Sequence, residues 1–336
     1  MSDHRDTLTR WLERLWYRPT LAWYGLPLLP ISYLFRVTAQ RRRVHHTQLA
    51  ERLPVPVIVV GNISIGGTGK TPVIQALASH LMQRGYRPGI ISRGHGARQQ
   101  TFPARVPASA NPQQYGDEPA LLAHSTSCPV VIDPDRVRAA HYLLETTDCN
   151  LILSDDGLQH YRLARDIEII VLDGERGLGN GHCLPAGPLR EPAARLAEGA
   201  LLLCNGCEND AVPTASVMQL ASRQWRHLQS GRTQAVTKAL PFSKVHAVAG
   251  IGNPQRFFNT LESLGLTIES HAFPDHHAFT PDELAFNDEL PIVMTSKDAI
   301  KCQAWANPRI WVLDVQAQLP DDFIEALIHR LPGDTA

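Results

Sequence analysis

The sequence predicts an α/β fold with a mostly parallel sheet, and three observations support that prediction. An apolar, β-branched run from Pro56 to Val60 leads into a glycine-rich loop, and an amphipathic helix pattern follows the loop. A second apolar run starts at Asn150 and ends in the pair Asp155 and Asp156. Further short apolar runs alternate with helical spacing along the chain, which is typical of parallel strands joined by helices.

The glycine-rich loop has the composition of a phosphate-binding loop, so the fold is predicted to contain a P-loop NTPase core. Ser64 stands where the usual pattern begins with glycine. Backbone N–H groups of such a loop face a phosphate chain, helped by the N-terminus of the next helix. We expect Lys70 to reach the β- and γ-phosphates and the Thr71 hydroxyl to ligate Mg²⁺. The predicted nucleotide-binding residues are Gly66, Gly67, Thr68, Gly69, Lys70 and Thr71.

The helix after the loop is predicted to run from Thr71 to Gly85. Pro72 suits the first helical turn, and Gly85 is a typical C-terminal stop. The apolar residues between them recur at helical spacing and so share one face. The predicted apolar face contains Val73, Ile74, Leu77, Ala78, Leu81 and Met82.

The other apolar runs predict the remaining strands of the sheet. These strands are predicted at Pro88–Ser92, Pro129–Ile132, Ile167–Leu172, Ala200–Cys204, Val245–Ala249, Pro291–Thr295 and Ile310–Val315. The region 205–243 is polar and weakly patterned, and we interpret it as the approach to a smaller C-terminal α/β domain. We therefore expect an N-terminal segment over residues 1–50, a nucleotide-binding domain over 51–215 and a C-terminal domain over 216–336.

Residues 1–50 differ from the rest of the chain in charge and aromatic content. They carry eight arginines against three acidic residues, whereas the whole chain has a net charge of −1. The most apolar part, Leu21 to Phe35, is shorter than the roughly 20 residues of a spanning helix and contains Pro27 and Pro30. Trp and Tyr favour the membrane interface, and the arginines at 41–43 would face anionic headgroups. We expect a helical segment that lies on a membrane surface; the alternative is a helical hairpin whose aromatic residues pack on the domain.

Composition excludes several other classes of protein. The chain of 336 residues is 43% hydrophobic and 19% charged, which is typical of a globular protein. Its near-neutral charge gives no reason to expect nucleic-acid binding. Six cysteines in this length do not form a disulfide framework. The isolated pair Cys204 and Cys207 is expected to be two reduced thiols, with a redox or metal role as the alternative.

Two subclasses of P-loop protein fit the residues poorly. Membrane-associated partitioning ATPases carry a lysine just before the two glycines, where this chain has Ile65. GTPases bind guanine through a Lys-x-Asp motif, but Lys297 and Asp298 are adjacent here. A kinase needs neither feature. It needs a base for the acceptor hydroxyl and positive charge around the transferred phosphoryl group.

The sequence resembles the tetraacyldisaccharide 4′-kinase family of Gram-negative lipid A biosynthesis over nearly the whole chain. The motifs that support the resemblance are Val60-Gly-Asn-Ile-Ser-Ile-Gly-Gly-Thr-Gly-Lys-Thr-Pro72, Ser92-Arg-Gly-His-Gly96, Gly116-Asp-Glu-Pro119, Asp155-Asp-Gly-Leu-Gln-His160, Leu184-Pro-Ala-Gly-Pro-Leu-Arg-Glu191 and Phe273-Pro-Asp-His276. The family loop also has serine at the position of Ser64. The resemblance implies transfer of phosphate from ATP, with Mg²⁺, to the 4′-hydroxyl of an acylated glucosamine disaccharide 1-phosphate. It also implies a peripheral enzyme on the cytoplasmic face of the inner membrane, with no obligate protein partner.

The resemblance assigns a general base and its assistant. Asp117 would accept the proton of the 4′-hydroxyl, with Glu118 in support, although Asp is also a favoured helix N-cap. His276 would assist Asp117 and hold its carboxylate by a hydrogen bond. The adjacent His277 leaves the identity of the assisting ring open.

The resemblance also supplies the residues around the phosphates. Asp156 would be the nearer partner of Mg²⁺, with Asp155 and Glu191 as further candidates. Arg190 would bind phosphate oxygens through its forked guanidinium group. Arg136 would bind either the γ-phosphate or the 1-phosphate of the acceptor, unless it forms a surface salt bridge. Gln159 and His160 would line the same site.

Two other functions remain open from the residues. A membrane-recruited nucleotide switch would hydrolyse ATP and act on a protein partner. A soluble P-loop kinase for a small metabolite would leave the aromatic N-terminal segment unexplained. Strong ATP hydrolysis without any lipid would favour the switch.

Overall fold

The computed structural model describes residues 11–238, 240–305 and 307–332, and the strands in these ranges form one sheet. The strands are β1 Val57–Gly61, β2 Pro88–Ser92, β3 Ala104–Val106, β4 Val130–Ile132, β5 Leu151–Asp155, β6 Ile167–Asp173, β7 Leu201–Asn205, β8 Ser216–His227, β9 Thr233–Ala235, β10 Lys244–Ala249, β11 Thr267–Ala272, β12 Ile292–Thr295 and β13 Ile310–Gln318. Their order is β11-β10-β12-β13-β8-β7-β6-β1-β5-β2-β4-β3, with β9 beside β8. The predicted α/β class with a mostly parallel sheet is confirmed.

Helices cover the sheet and join most of its parallel strands. The α-helices are α1 Leu29–Gln48, α2 Lys70–Gln83, α3 Pro112–Tyr115, α4 Asp117–Ser125, α5 Arg136–Thr146, α6 Pro254–Ser263, α7 Ser296–Ala299 and α8 Asp321–Arg330. Short 3₁₀ turns lie at Trp23–Leu28, Ala193–Ala197, Asp282–Leu284 and Ile300–Cys302. The helix predicted after the glycine-rich loop is α2, which begins one residue earlier than expected. Met82 on its predicted apolar face is partly exposed.

Strand β1 lies at the centre of the nucleotide-binding half, parallel to β5 and β6. All five of its residues are buried, because apolar side chains pack against both faces. Ile58 and Val60 belong to one buried cluster, and Val57 and Val59 belong to the other. This two-sided burial explains why the strand is a continuous apolar run rather than an alternating one. The glycine-rich loop therefore starts from a fixed strand end.

Strand β8 corrects the prediction that residues 205–243 are only a weakly patterned approach. It is twelve residues long and joins the two halves of the sheet. Its first residues pair in parallel with β7, and the remainder pairs antiparallel with β13. Most of its side chains are only partly buried, so the strand lacks the apolar run by which the other strands were predicted. The strands β3, β9 and β11 also have no counterpart among the predicted strands.

The C-terminal helix returns to the nucleotide-binding half. Phe323, Ile324 and Leu327 on α8 belong to the same buried cluster as Ile58 of β1. The predicted C-terminal domain over 216–336 stays a proposal. Because α8 packs on the nucleotide-binding core, we change the proposed end of this domain. We propose that the domain ends near the middle of β13 and that the following residues complete the nucleotide-binding core.

The N-terminal segment packs on the domain with some of its aromatic residues and exposes others; its first ten residues lie outside the described part. Leu15 and Trp16 are buried against the domain, whereas the Trp23 and Tyr33 side chains are 80% and 62% exposed. Pro30 lies in the first turn of α1, where proline is tolerated. Within the described ranges, every helix is too short or too polar to cross a membrane.

Candidate active site

The glycine-rich loop connects β1 to α2 with a backbone that requires glycine at two positions. Gly66 has φ 112° and Gly69 has φ 94°, in the region that L side chains avoid. A Cβ atom at Gly69 would also lie 2.8 Å from Asn205 Nδ2. Ser64 is buried and forms a β-bridge with Leu189, so a serine is accommodated at the first position of the loop.

A group of polar side chains surrounds the start of α2, and we call it the phosphate side. Its residues are Lys70, Asp155, Asp156, Gln159, Arg190 and Glu191. Asp156 lies between two cations, with Lys70 Nζ 3.5 Å from its Oδ1 and Arg190 Nη1 3.2 Å from its Oδ2. Gln159 Nε2 donates a hydrogen bond of 2.8 Å to Glu191 Oε1. The structure thus brings these six predicted residues together.

The two aspartates at the end of β5 differ in their electrostatic surroundings. Burial, together with the nearby carboxylates Glu118 and Asp156, raises the pKa of Asp155 to about 7. The hydrogen bond of 3.0 Å that Ser92 Oγ donates acts in the opposite direction. Burial would also raise the pKa of Asp156, but Lys70 and Arg190 outweigh burial, so this pKa is lowered. Asp156 is therefore the carboxylate that stays ionised at neutral pH.

The donor set at this strand end fits Mg²⁺. Within the described residues, the Oδ1 atoms of Asp155 and Asp156 are buried without a hydrogen-bond partner. Carboxylate oxygens are hard ligands of the kind that Mg²⁺ prefers. In this part of the chain, Asp155 Oδ1 has no partner and Asp156 Oδ1 has only the ion pair with Lys70, so both oxygens are suited to bind a magnesium ion.

Arg136 is buried beside the phosphate side, and His160 is partly buried there. Arg136 is 2% exposed and donates hydrogen bonds of 2.8 and 3.3 Å to the carbonyl oxygens of Asp133 and Asp155. It is therefore not part of a surface salt bridge, and as placed it supports the end of β5. Burial, with Arg136 and Arg93 nearby, lowers the pKa of His160 to about 3, so its ring is neutral.

A second group forms what we call the acceptor side, whose residues are Asp117, Glu118, Asp275, His276 and Lys297. His276 Nδ1 lies 3.1 Å from Asp117 Oδ2, although the two residues are 159 positions apart. Asp117 is the first residue of α4, but Gly116 occupies the N-cap and no side-chain cap bond forms there. The alternative that Asp117 serves as an N-cap is therefore wrong. The side chain of His276 is 38% exposed, and its partner Asp117 is 15% exposed.

Lys297 is a residue that the sequence analysis did not select as functional. Its Nζ lies 3.3 Å from Glu118 Oε1, 3.2 Å from Asp275 Oδ1 and 3.4 Å from His276 Nε2. Burial would lower its pKa, but the carboxylates of Glu118 and Asp275 raise it, so the ammonium group stays charged. In the sequence this lysine stands out only as part of a guanine-binding motif with the wrong spacing, and no local pattern indicates its contacts with Glu118 and Asp275. Asp275 precedes His276 within one of the quoted motifs.

Lys301 lies next to the acceptor side and pairs with two of the nearby aspartates. Its Nζ lies 3.6 Å from Asp117 Oδ2 and 3.0 Å from Oδ1 of the buried Asp298. Asp298 in turn accepts hydrogen bonds from the N–H of Gly250 and the hydroxyl of Thr295. The carboxylate of Asp117 therefore lies between a histidine ring and a lysine that is itself fixed by a buried ion pair.

One cleft connects the phosphate side with the acceptor side. It has a volume of about 630 Å³, and both Lys70 of the loop and Lys297 of α7 line it. Glu118 lines the same cleft and also acts on the pKa of Asp155. The cleft therefore reaches from the glycine-rich loop to Glu118, the neighbour of Asp117 in the chain, and to Lys297, which contacts Glu118 and His276.

The N-terminal segment contacts the glycine-rich loop directly. The Tyr17 hydroxyl donates a hydrogen bond of 3.0 Å to the carbonyl oxygen of Ile65. The Arg176 guanidinium group lies 4.9 Å from the centroid of the Tyr17 ring and donates to the carbonyl oxygen of Gly252. The loop is thus held by the N-terminal segment on one side and by the C-terminal half on the other.

Comparisons with known proteins agree on one family. The model of the LpxK family, tetraacyldisaccharide-1-P 4′-kinase, matches residues 24–332. A tetraacyldisaccharide 4′-kinase of Nitrosococcus oceani is 47% identical over 328 residues, which cover 96% of this chain and 94% of the relative. One of Stutzerimonas stutzeri is 50% identical over 307 residues, which cover 91% and 92%. The solved structure of LpxK from Aquifex aeolicus in complex with ATP has 28% identity and a TM-score of 0.70, covering 91% of this chain and 99% of that one.

Proposed function

The chain belongs to the tetraacyldisaccharide-1-P 4′-kinase family, and from that premise we propose how its residues perform the reaction. It is an ATP-dependent kinase of lipid A biosynthesis, which transfers the γ-phosphate of ATP to the 4′-hydroxyl of a lipid disaccharide 1-phosphate. The chemistry needs a bound triphosphate, a base for the hydroxyl proton and cations around the transferred group.

We propose that the phosphate side binds the triphosphate. The N–H groups of Gly66, Gly67, Thr68 and Gly69 face the phosphate oxygens, and the ammonium group of Lys70 neutralises the β- and γ-phosphates. Arg190 contributes a second cation, which Asp156 and Gln159 orient. Thr71, Asp155, Asp156 and Glu191 would hold Mg²⁺, which when bound offsets charge on the β- and γ-phosphates.

The acceptor side prepares the hydroxyl group for attack. Asp117 Oδ takes the proton of the 4′-hydroxyl as the new O–P bond forms and the bond to the β-phosphate oxygen breaks, which releases ADP. His276 is a positioning residue, because its ring forms a hydrogen bond with the Asp117 carboxylate. Lys297 holds Glu118 and Asp275 in place around that pair.

The observation that carries this proposal is the pairing of Asp117 with His276 beside the cleft of the glycine-rich loop. A simple ATPase switch does not need a carboxylate–histidine pair formed by two residues that are 159 positions apart in the sequence. A hydroxyl acceptor needs one, because its proton must leave during transfer. The pair therefore favours a kinase over the nucleotide switch.

The first experiment is a transfer assay with labelled Mg-ATP and a detergent-dispersed acylated disaccharide 1-phosphate. We expect labelled bisphosphorylated lipid only when the acceptor is present, and ATP consumption that depends on it. Asp117→Asn should slow formation of the labelled product by about a hundredfold while the variant still binds ATP. Equal ATP consumption with and without lipid, and no lipid product, would refute the kinase function and favour the switch.

We also propose that the enzyme is peripheral on the cytoplasmic face of the inner membrane, where the acyl chains of its substrate lie. Trp23, Leu26, Ile31 and Tyr33 are exposed on the N-terminal segment, and large apolar side chains in one exposed patch are typical of an interaction surface. The arginines at 41–43 follow on α1 and would attract anionic lipid. Leu15 and Trp16 anchor the same segment to the domain.

Vesicle sedimentation tests the membrane proposal. The double variant Trp23→Ala/Tyr33→Ala should bind anionic vesicles about tenfold more weakly than wild type, because two interfacial aromatic groups are lost. Met82→Ala, an exposed apolar residue of α2, is the matched control and should bind as wild type does. Unchanged binding of the double variant would show that this patch does not face the membrane.

A further inference from the structure

A cluster of metal-ligating side chains lies on the two outermost strands of the C-terminal half, away from the active site. His246 is on β10, and Glu269 and His271 are on β11, which is an edge strand of the sheet. The parallel register places His246 opposite Glu269. Because side chains alternate along a strand, His271 lies on the same face as Glu269. Two histidines and a carboxylate therefore converge on one face of a rigid strand pair.

The spacing of their ligand atoms fits a first-row transition metal. His246 Nδ1 lies 3.0 Å from His271 Nε2 and 3.5 Å from Glu269 Oε2. All three ligand atoms lie within 4.8 Å of one another. Bonds of about 2.0 to 2.1 Å in a tetrahedral zinc site separate neighbouring ligand atoms by about 3.4 Å. The two distances from His246 Nδ1 bracket that value, so an ion would require only small shifts.

The surroundings orient His246 as metal-binding histidines are usually oriented. Its Nε2 donates to Asp288 Oδ1 at 3.0 Å, which leaves the lone pair of Nδ1 directed at the other two ligands. A carboxylate that accepts the second ring N–H is the common outer partner of a metal-bound histidine. The ring of Phe286 stacks on His246 with centroids 3.8 Å apart, which fixes the ring plane.

Glu269 can ligate a metal without losing its present partner. Lys244 Nζ lies 2.6 Å from Glu269 Oε1, so the other oxygen, Oε2, is the one that faces His246. The second histidine also faces the same point, because His271 Nε2 lies 3.0 Å from His246 Nδ1. Neutral imidazoles and a carboxylate are the ligand types that Zn²⁺, Co²⁺ and Ni²⁺ accept.

We propose that His246, Glu269 and His271 form a binding site for one divalent transition metal of the zinc type. Asp288 is its outer partner, and water completes the coordination. The ion would link β10 to β11 at the edge of the sheet and is distinct from the Mg²⁺ of the reaction. Among the described residues, this is the one group of three His, Cys, Asp or Glu side chains whose ligand atoms lie within 4.8 Å of one another, and neither Cys204 nor Cys207 belongs to it.

The test is a titration of the untagged, full-length protein, freed of transition metals, with ZnCl₂ by calorimetry, in excess Mg²⁺ so that the magnesium site is occupied. We expect one equivalent of Zn²⁺ per chain. His271→Ala should lower the affinity by about a hundredfold, and Asp288→Asn by about tenfold, as outer-partner changes commonly do. Co²⁺ in place of Zn²⁺ should give visible absorption bands that His271→Ala removes.

Matched variants keep this proposal falsifiable. Cys207→Ser and His276→Gln remove the exposed thiol and the active-site ring, and both should retain the zinc equivalent. Glu269→Gln changes only a partly exposed side chain and should weaken binding without loss of fold, measured by circular dichroism. The proposal is overturned if wild type binds Zn²⁺ no tighter than His271→Ala does, or if binding depends on Cys207 or His276 instead. Either result would leave only a hydrogen-bonded histidine pair at this edge.

Discussion

The phosphate side and the acceptor side of the cleft are built in different ways. Every residue of the phosphate side comes from positions 70–191 of the nucleotide-binding core. Lys70 starts α2, residues 155–159 lie at the end of β5, and Arg190 and Glu191 lie in the loop between β6 and β7. The acceptor side takes Asp117 and Glu118 from that core but Asp275, His276 and Lys297 from the C-terminal half. Exposure differs less between the two sides, since the Asp117 and His276 side chains are 15% and 38% exposed, and those of Lys70 and Asp156 are 12% and 33% exposed.

This difference shows that the two sides depend on different parts of the fold. The phosphate side is held by continuous strands and by two-sided burial, so it is preorganised before substrate binds. The acceptor side depends on ion pairs that cross from one half of the chain to the other, chiefly those of Lys297. We therefore expect substitutions on the phosphate side to cause the largest loss of turnover. On the acceptor side, some substitutions should slow proton transfer and others should disturb the positions of the reacting groups.

Loss of Lys70 should have the largest effect. Lys70→Ala removes the cation closest to Asp156 and to the bound phosphates, so kcat should fall by about a thousandfold, the cost of one strong stabilising group. Steady-state transfer to the lipid acceptor measures the effect. Thermal unfolding should be nearly unchanged, because β1 and α2 retain their core contacts. Turnover within tenfold of wild type would show that the nucleotide site is elsewhere.

Loss of the general base should come next. Asp117→Asn should lower kcat by about a hundredfold, because the hydroxyl proton loses its acceptor. His276→Gln should lower it by about tenfold, since the ring acts through Asp117. The double variant should be no slower than Asp117→Asn alone, because the two residues act as one unit. Independent, multiplicative losses would contradict a shared role.

Substitutions of Lys297 and Lys301 test which lysine positions the acceptor side and which stabilises the fold. Lys297→Met should lower kcat/KM by about tenfold, because Glu118 and Asp275 lose the cation that joins them, and Lys297→Arg should restore part of it. Lys301→Met should instead mainly destabilise the fold, since it leaves the buried Asp298 without its ion-pair partner. Unfolding in urea and transfer kinetics of both variants distinguish the two outcomes. Equal loss of stability in both variants would contradict a positioning role for Lys297.

The sequence predicted the phosphate side better than the acceptor side for a physical reason. A phosphate-binding loop is a local structure, so Gly66, Gly69 and Lys70 identify it within a few residues of chain. The contact between Asp117 and His276 depends on the tertiary fold, and only the family resemblance pointed to it. Lys297 was missed because its role depends on partners in two distant segments, which no local pattern indicates.

The fold was predicted in the same uneven way. Strands buried on both faces, such as β1 and β5, are continuous apolar runs and were placed to within one residue at either end. Strand β8 was missed because its partly exposed side chains give it neither a run nor a clear alternation. The strand that joins the two halves of the sheet is thus difficult to predict from its sequence.

His160 gives the smallest expected effect on turnover at pH 7 and tests the burial of the phosphate side. Its folded pKa of about 3 lies below the ordinary value of 6.5, so the unfolded chain binds more protons between these values. The free energy of unfolding of wild type should therefore fall as pH drops from 6.5 towards 3, by on the order of 2 kcal/mol at pH 5 from this residue. His160→Gln lacks the titrating group, so urea unfolding of the variant should show a weaker decline over the same range. Parallel curves for the two proteins would show that the ring is solvated in the folded state, and the phosphate side would then be as open to water as the acceptor side.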